Sequence, residues 1–82
     1  MIQLENQIIN VISKELSIDK EEIHIGSDLY NELNCDDLDF VELMLALEEE
    51  LEIEISDEEM EQIIDNQSCT VEELINLVKI YY

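Results

Sequence analysis

NCDDLDFVELMLALEEELEIEI, residues 34–55, decides how the whole chain reads. Its first charged residues, Asp36, Asp37 and Asp39, bracket Leu38 and precede a run with helical spacing. Asp36 is the expected N-cap, with Asp39 three residues later, and a helix is expected from Asp37 to Leu51. Acids in a first turn complement the positive end of the helix dipole, each by roughly 0.3–1 kcal/mol. At about 100° per residue, Phe40, Leu43, Met44, Leu47 and Leu51 fall on one side. Leu38, Val41 and Leu45 fall nearly opposite. A bundle helix needs only the first stripe for its core. The second is either packed under a loop or exposed for a partner, and the expectation is exposure. Asp39, Glu42, Glu48 and Glu49 flank it, so an apolar strip with an acidic rim results, the composition of a docking surface rather than of a catalytic cleft.

Outward from this helix the chain reads as all-α. Residues 2 to 16 carry Leu4, Ile8, Ile12 and Leu16 four apart, an amphipathic helix. Residues 17 to 35 lose the period and form a long connection, with Ile23, Ile25, Leu29 and Leu33 expected to pin it to the core. SDEEMEQII, residues 56–64, opens with a Ser56–Glu59 capping box, and its apolar residues Met60, Ile63 and Ile64 suit a short helix. DNQSC, residues 65–69, reads as a turn. Thr70 and Glu73 form a second capping box for a final helix buried through Val71, Leu74, Ile75 and Val78. The chain has one Gly and no Pro, so its helices have few internal breakers and its turns rely on Asn, Asp and Ser. The 82 residues make one domain, 1–82. A chain this small buries little more than roughly 60% of its unfolded surface, which argues against a large enclosed pocket.

With 23 acidic residues against 3 basic ones the formal net charge is −20. Such a surface repels phosphate backbones and anionic membranes, so neither nucleic acid nor a membrane is an expected partner. A protein with a basic patch is steered in quickly. Part of the charge serves only to keep a small protein soluble and monomeric. Hydrophobic residues make up 46% of the chain, enough for a core despite the charge. Cys35 and Cys69 form no CxxC pair and no secretory leader opens the chain, so free thiols in a reducing cytoplasm are expected. No apolar run approaches the roughly 18 residues of a membrane span.

Enzymatic readings find little footing. His24 is the only histidine and sits alone in the long connection, so neither a Ser-His-Asp or Cys-His set nor a histidine metal site is expected. DDLDFVELMLAL lacks the sixth-position glycine and alternating oxygen ligands of a calcium loop. Weak, nonspecific divalent binding to the acidic helix is compatible with the charge. Imitation of a nucleic acid would also fit the charge, but it would not require the second apolar stripe.

These residues resemble the acyl carrier proteins of fatty-acid and polyketide synthesis. The similarity is strongest over residues 28 to 63, where NELNCDDLDFVELMLALEEELEIEISDEE looks like that family's second-helix segment. There an Asp-Ser-Leu motif opens a helix continuing through an acidic VEL-type stretch. The register through Leu38, Asp39, Val41, Glu42, Leu43, Ala46 and Leu47 is shared. The resemblance implies a small four-helix bundle of three main helices, one short helix and a long first loop. In the family the motif serine carries 4′-phosphopantetheine through a phosphodiester, and the arm's thiol holds the acyl group. Here Asp36 and Leu38 match the flanks, while Asp37 stands at the serine position. Ser27, Ser56 and Ser68 lie in other contexts. As written, the chain takes no such cofactor; it would do so if position 37 were Ser. The longer IIDNQSC segment before the last helix is a second departure, at the edge of the family's acyl cavity.

Two readings follow. In one, the chain is a cytoplasmic binding protein that kept the docking helix and lost the arm, meeting basic synthase- or transferase-like enzymes through Asp36, Leu38, Asp39, Val41, Glu42, Leu45, Glu48 and Glu49. In the other, it is an ordinary carrier whose attachment serine was replaced by Asp.

Overall fold

A computed structural model of the chain describes residues 3–82. Four α-helices follow one another: α1 (Leu4–Leu16), α2 (Asp37–Leu51), α3 (Asp57–Asn66) and α4 (Val71–Tyr81). A single 3₁₀ turn, Lys20–Glu22, interrupts the long connection after α1. Residue 2, at the expected start of the first helix, lies outside the described residues. Among those residues there is no strand, only an isolated antiparallel bridge between Asp28 and Thr70.

The helices form where apolar spacing and caps agree. In α1, Ile8 and Ile12 are fully buried, with Leu4, Ile9, Val11 and Leu16 packed beside them. Phe40, Leu43, Met44, Leu47 and Leu51 of α2 are all buried, the stripe that the sequence assigns to the core. The Asp36 carboxylate accepts the Asp39 N–H at 2.8 Å and Asp39 accepts the Asp36 N–H at 3.3 Å. This reciprocal box satisfies two backbone donors that a helix start otherwise leaves unpaired. Thr70 and Glu73 make the same box at the start of α4. Val71, Leu74, Ile75 and Val78 bury that helix, and α1 and α3 both pack on α2.

Three expectations change in the structure. Ser56 caps α3, but its hydroxyl accepts from the Glu58 N–H at 3.2 Å and no box with Glu59 forms. The Glu59 carboxylate accepts instead from the Tyr81 hydroxyl at 2.6 Å, tying the start of α3 to the end of α4. α3 also runs past the expected turn: Asp65 and Asn66 are helical, and the chain leaves the helix at Gln67, in the left-handed region with φ 50°. Ser17 and Glu52 close α1 and α2 in the same conformation. Ile25 does not pin the connection. It is exposed, whereas Ile23 and Leu29 are buried and Leu33 is partly buried. Ile25 sits in the turn that the Ser27 N–H closes onto the His24 carbonyl at 2.9 Å, and it contributes its own carbonyl to the Glu72 N–H.

Charge opposes this compaction. Among the described residues one ion pair forms, Lys79 to Glu5 at 3.9 Å, between exposed groups; such a pair contributes little. The carboxylates are otherwise left to repel one another, and screening shortens that repulsion to about 10 Å at 0.1 M salt. The melting temperature is therefore expected to rise with moderate NaCl and rise further with millimolar Mg²⁺ in scanning calorimetry. A melting temperature indifferent to both would mean that the acids are already compensated.

Candidate functional site

Position 37 is the first residue of α2, immediately after the Asp36 cap, and its side chain is exposed. An open cleft of about 530 Å³ borders it, lined by Tyr30, Asn31, Cys35 and Asp36 on one side and Asn66, Gln67 and Ser68 on the other. The long connection thus meets the α3–α4 junction beside the start of α2.

Asp28 joins the two. Its Oδ1 accepts the backbone N–H groups of Tyr30 and Asn31 at 3.0 and 3.1 Å and the Asn31 side-chain amide at 3.2 Å. Its Oδ2 accepts the Ser68 hydroxyl at 2.7 Å. Backbone bonds flank this carboxylate: Leu29 N–H to the Cys69 carbonyl at 2.8 Å, and Val71 N–H to the Ser27 carbonyl at 2.9 Å. Burial alone would push the Asp28 carboxyl up; the Ser68 hydroxyl and the backbone N–H groups outweigh it and hold the group below its ordinary 3.8. The sequence reading missed Asp28, one acid among 23. Its available signal was local: an Asp followed by donors two and three residues on can fold them into a turn on its own side chain.

The two thiols lie close to the same junction. Cys35 and Cys69 are buried and free. Burial, reinforced by neighbouring carboxylates, pushes both thiols up to about 12. A protonated, buried thiol is neither a nucleophile nor a metal ligand. Among the described residues no three His, Cys, Asp or Glu side chains come together as a metal site.

The second apolar strip read from the sequence is exposed, as expected. Leu38 is 67% exposed, Val41 37% and Leu45 56%, on the face of α2 that turns away from the core. Its acids are not equivalent. Asp36 and Asp39 are engaged in the capping box, whereas Glu42 and Glu49 are exposed and make no hydrogen bond that fixes them. Glu48 is half-buried, and its Oε2 accepts the Ile55 N–H at 2.7 Å, so it fastens the segment after α2. No described helix is long and apolar enough to cross a membrane.

A family model described as phosphopantetheine attachment site matches residues 6–78.

The Asp28 cluster gives a testable pH dependence. Its pKa is lower in the folded chain than in the unfolded one, so its contribution is fully present above the unfolded value and disappears as pH falls through the folded value. Asp28→Ala strips the acceptor from three backbone or amide donors and a hydroxyl. Urea unfolding is expected to show a loss of about 1–3 kcal/mol at neutral pH, with the gap to the parent chain narrowing below about pH 4. An equal gap at pH 7 and pH 2.5 would remove the ionised carboxylate from this account.

Proposed function

Because the chain belongs to the phosphopantetheine-attachment family, we propose that it is a carrier-type domain that works by docking, without an arm of its own. The single observation behind this reading is the combination on α2: a carrier-type helix start with a carboxylate at position 37, beside an exposed apolar strip rimmed by acids. The family's prosthetic group is 4′-phosphopantetheine, held by a serine hydroxyl. The residues here do not fit it. Asp37 offers no hydroxyl, and the Ser68 hydroxyl on the same cleft is committed to Asp28. The partners proposed are proteins with basic patches, of the kind that handle carrier domains, and the cytoplasm is the proposed location. No reaction chemistry is assigned to the chain itself.

Docking would divide into two physical parts. Glu42 and Glu49 are free carboxylates in the field of a chain with net charge −20, and they would speed encounter with a cationic surface. Leu38, Val41 and Leu45 would supply the contact area that water leaves on binding, which mostly governs dissociation. Glu48 of the same rim is a poor site for a charge reversal, because the change would also release the Ile55 N–H.

The kinetic expectation follows. Against a basic carrier-handling enzyme such as a phosphopantetheinyl transferase, Glu42→Lys with Glu49→Lys should slow association and flatten its salt dependence. Leu45→Ala should chiefly speed dissociation. Surface plasmon resonance separates the two, and unchanged rates in both variants would reject α2 as the docking helix.

The alternative, a carrier whose serine was replaced, shares the same helix and predicts the same docking. Attachment itself is tested by Asp37→Ser. Incubated with coenzyme A and a broad-specificity phosphopantetheinyl transferase, that variant is expected to gain the mass of one phosphopantetheine, and the chain as written none. A serine variant that stays unmodified would show that the docking surface has moved away from the transferase. Modification of the unaltered chain would refute the loss of the arm.

A further inference from the structure

The Tyr30 hydroxyl is buried, and no acceptor stands in hydrogen-bonding geometry to it. A buried donor left in that state costs about as much as a lost hydrogen bond, so such groups are rare in native proteins. Its surroundings narrow the candidates for an acceptor. The Tyr30 ring packs on Phe40, with centroids 5.8 Å apart and a tilt of 36°. Phe40 lies three residues after Asp37 on α2, and residues three apart are neighbours on a helix surface. Tyr30 and Asp37 also line the same cleft. The other carboxylates near that cleft are engaged elsewhere: Asp28 by four donors, Asp36 by the Asp39 N–H. Asp37 has no such engagement with a backbone donor, and it is exposed.

We propose that Tyr30 and Asp37 form a hydrogen-bonded pair in solution, so that position 37 ties the long connection to the start of α2. A residue that must carry a flexible arm into partner enzymes needs its side chain directed outward. A carboxylate bound to a loop tyrosine has the opposite arrangement. On this view Asp37 is a structural residue with its own partner, and Tyr30 is the positioning residue that holds it. The surroundings of Tyr30 agree with this placement: burial first, and then the nearby Asp37 charge, push its ionisation well above the ordinary tyrosine range.

The proposal rests on the reading that position 37 carries no arm, but its test needs no partner protein. Tyr30→Phe keeps the ring on Phe40 and removes only the hydroxyl, and Asp37→Ala removes the acceptor. Melting temperatures of the parent, the two single variants and the double variant close a mutant cycle. Each single change is expected to lower the melting temperature, Tyr30→Phe by about 4 °C or more, and the double variant to fall by less than the sum of the two. Additive losses, or a Tyr30→Phe chain that melts higher than the parent, would overturn the pair. A second readout uses chains labelled with ¹³C at tyrosine Cζ, Tyr30→Phe assigning the signal. With Asp37→Ala the Tyr30 titration should move to lower pH, and an unmoved titration overturns the pair as well. Failure of these measurements leaves the docking rates of α2 untouched, so the two readings fail separately.

Discussion

The constraint on which the rest of this molecule depends is that a connection of about twenty residues, without a helix of its own beyond one 3₁₀ turn, has to deliver the start of α2 in a fixed place. Long irregular segments carry backbone groups that must be paired or left to water. Here one buried carboxylate solves much of that problem. Asp28 gathers two backbone N–H groups, an amide and the Ser68 hydroxyl, while the neighbouring backbone pairs with the segment at Cys69 and Val71. The connection is thereby fastened to the α3–α4 junction rather than only to the core beneath it. Leu29, fully buried between these bonds, adds the apolar anchor. The Cys35 N–H then donates to the Leu29 carbonyl at 2.9 Å, which carries the fixed geometry to within one residue of the Asp36 cap.

What the sequence revealed and what it concealed divide along the range of the interactions involved. α2 was legible to the residue because its start, first turn and core stripe are all local: Asp36 and Asp39 cap each other, and the apolar spacing persists to Leu51. The exposure of Leu38, Val41 and Leu45 was legible for the same reason, since one helix cannot bury two opposite stripes in so small a bundle. The end of α3 was not. Asp65 and Asn66 have turn-like chemistry, yet the helix continues until Gln67 adopts the left-handed conformation that glycine usually supplies. Ile25 failed because a connection without a period gives no face to assign, and a local turn decided its exposure. Glu48 and Glu59 were hidden by distance. Each accepts a hydrogen bond from a residue whose position only the fold determines, Ile55 and Tyr81.

The same distinction bears on the proposed docking surface. An acidic chain presents many carboxylates, and counting them does not say which are available. Capping removes Asp36 and Asp39 from the freely moving set, and Glu48 is fixed to the Ile55 N–H. Glu42 and Glu49 remain. A partner reading this helix would therefore meet fixed acids near its start and mobile ones along its length, with the apolar strip between. Fixed groups lose less conformational entropy when a partner binds them, and mobile ones contribute more to long-range attraction than to the bound contact.

Position 37 then separates what the fold requires from what carrying a group requires. At the first position of a helix a carboxylate is favoured by the dipole, roughly 0.3–1 kcal/mol, and the cap that organises α2 belongs to Asp36 and Asp39, not to residue 37. The core stripe begins at Phe40. Neither the bundle nor the exposed strip needs a hydroxyl at this point. Attachment, by contrast, depends on that one oxygen entirely. On the proposed reading, Asp in place of Ser would alter the helix start by a small increment and remove the covalent role. That asymmetry would let a chain match its family from residue 6 to residue 78 and yet work by docking without an arm, as proposed.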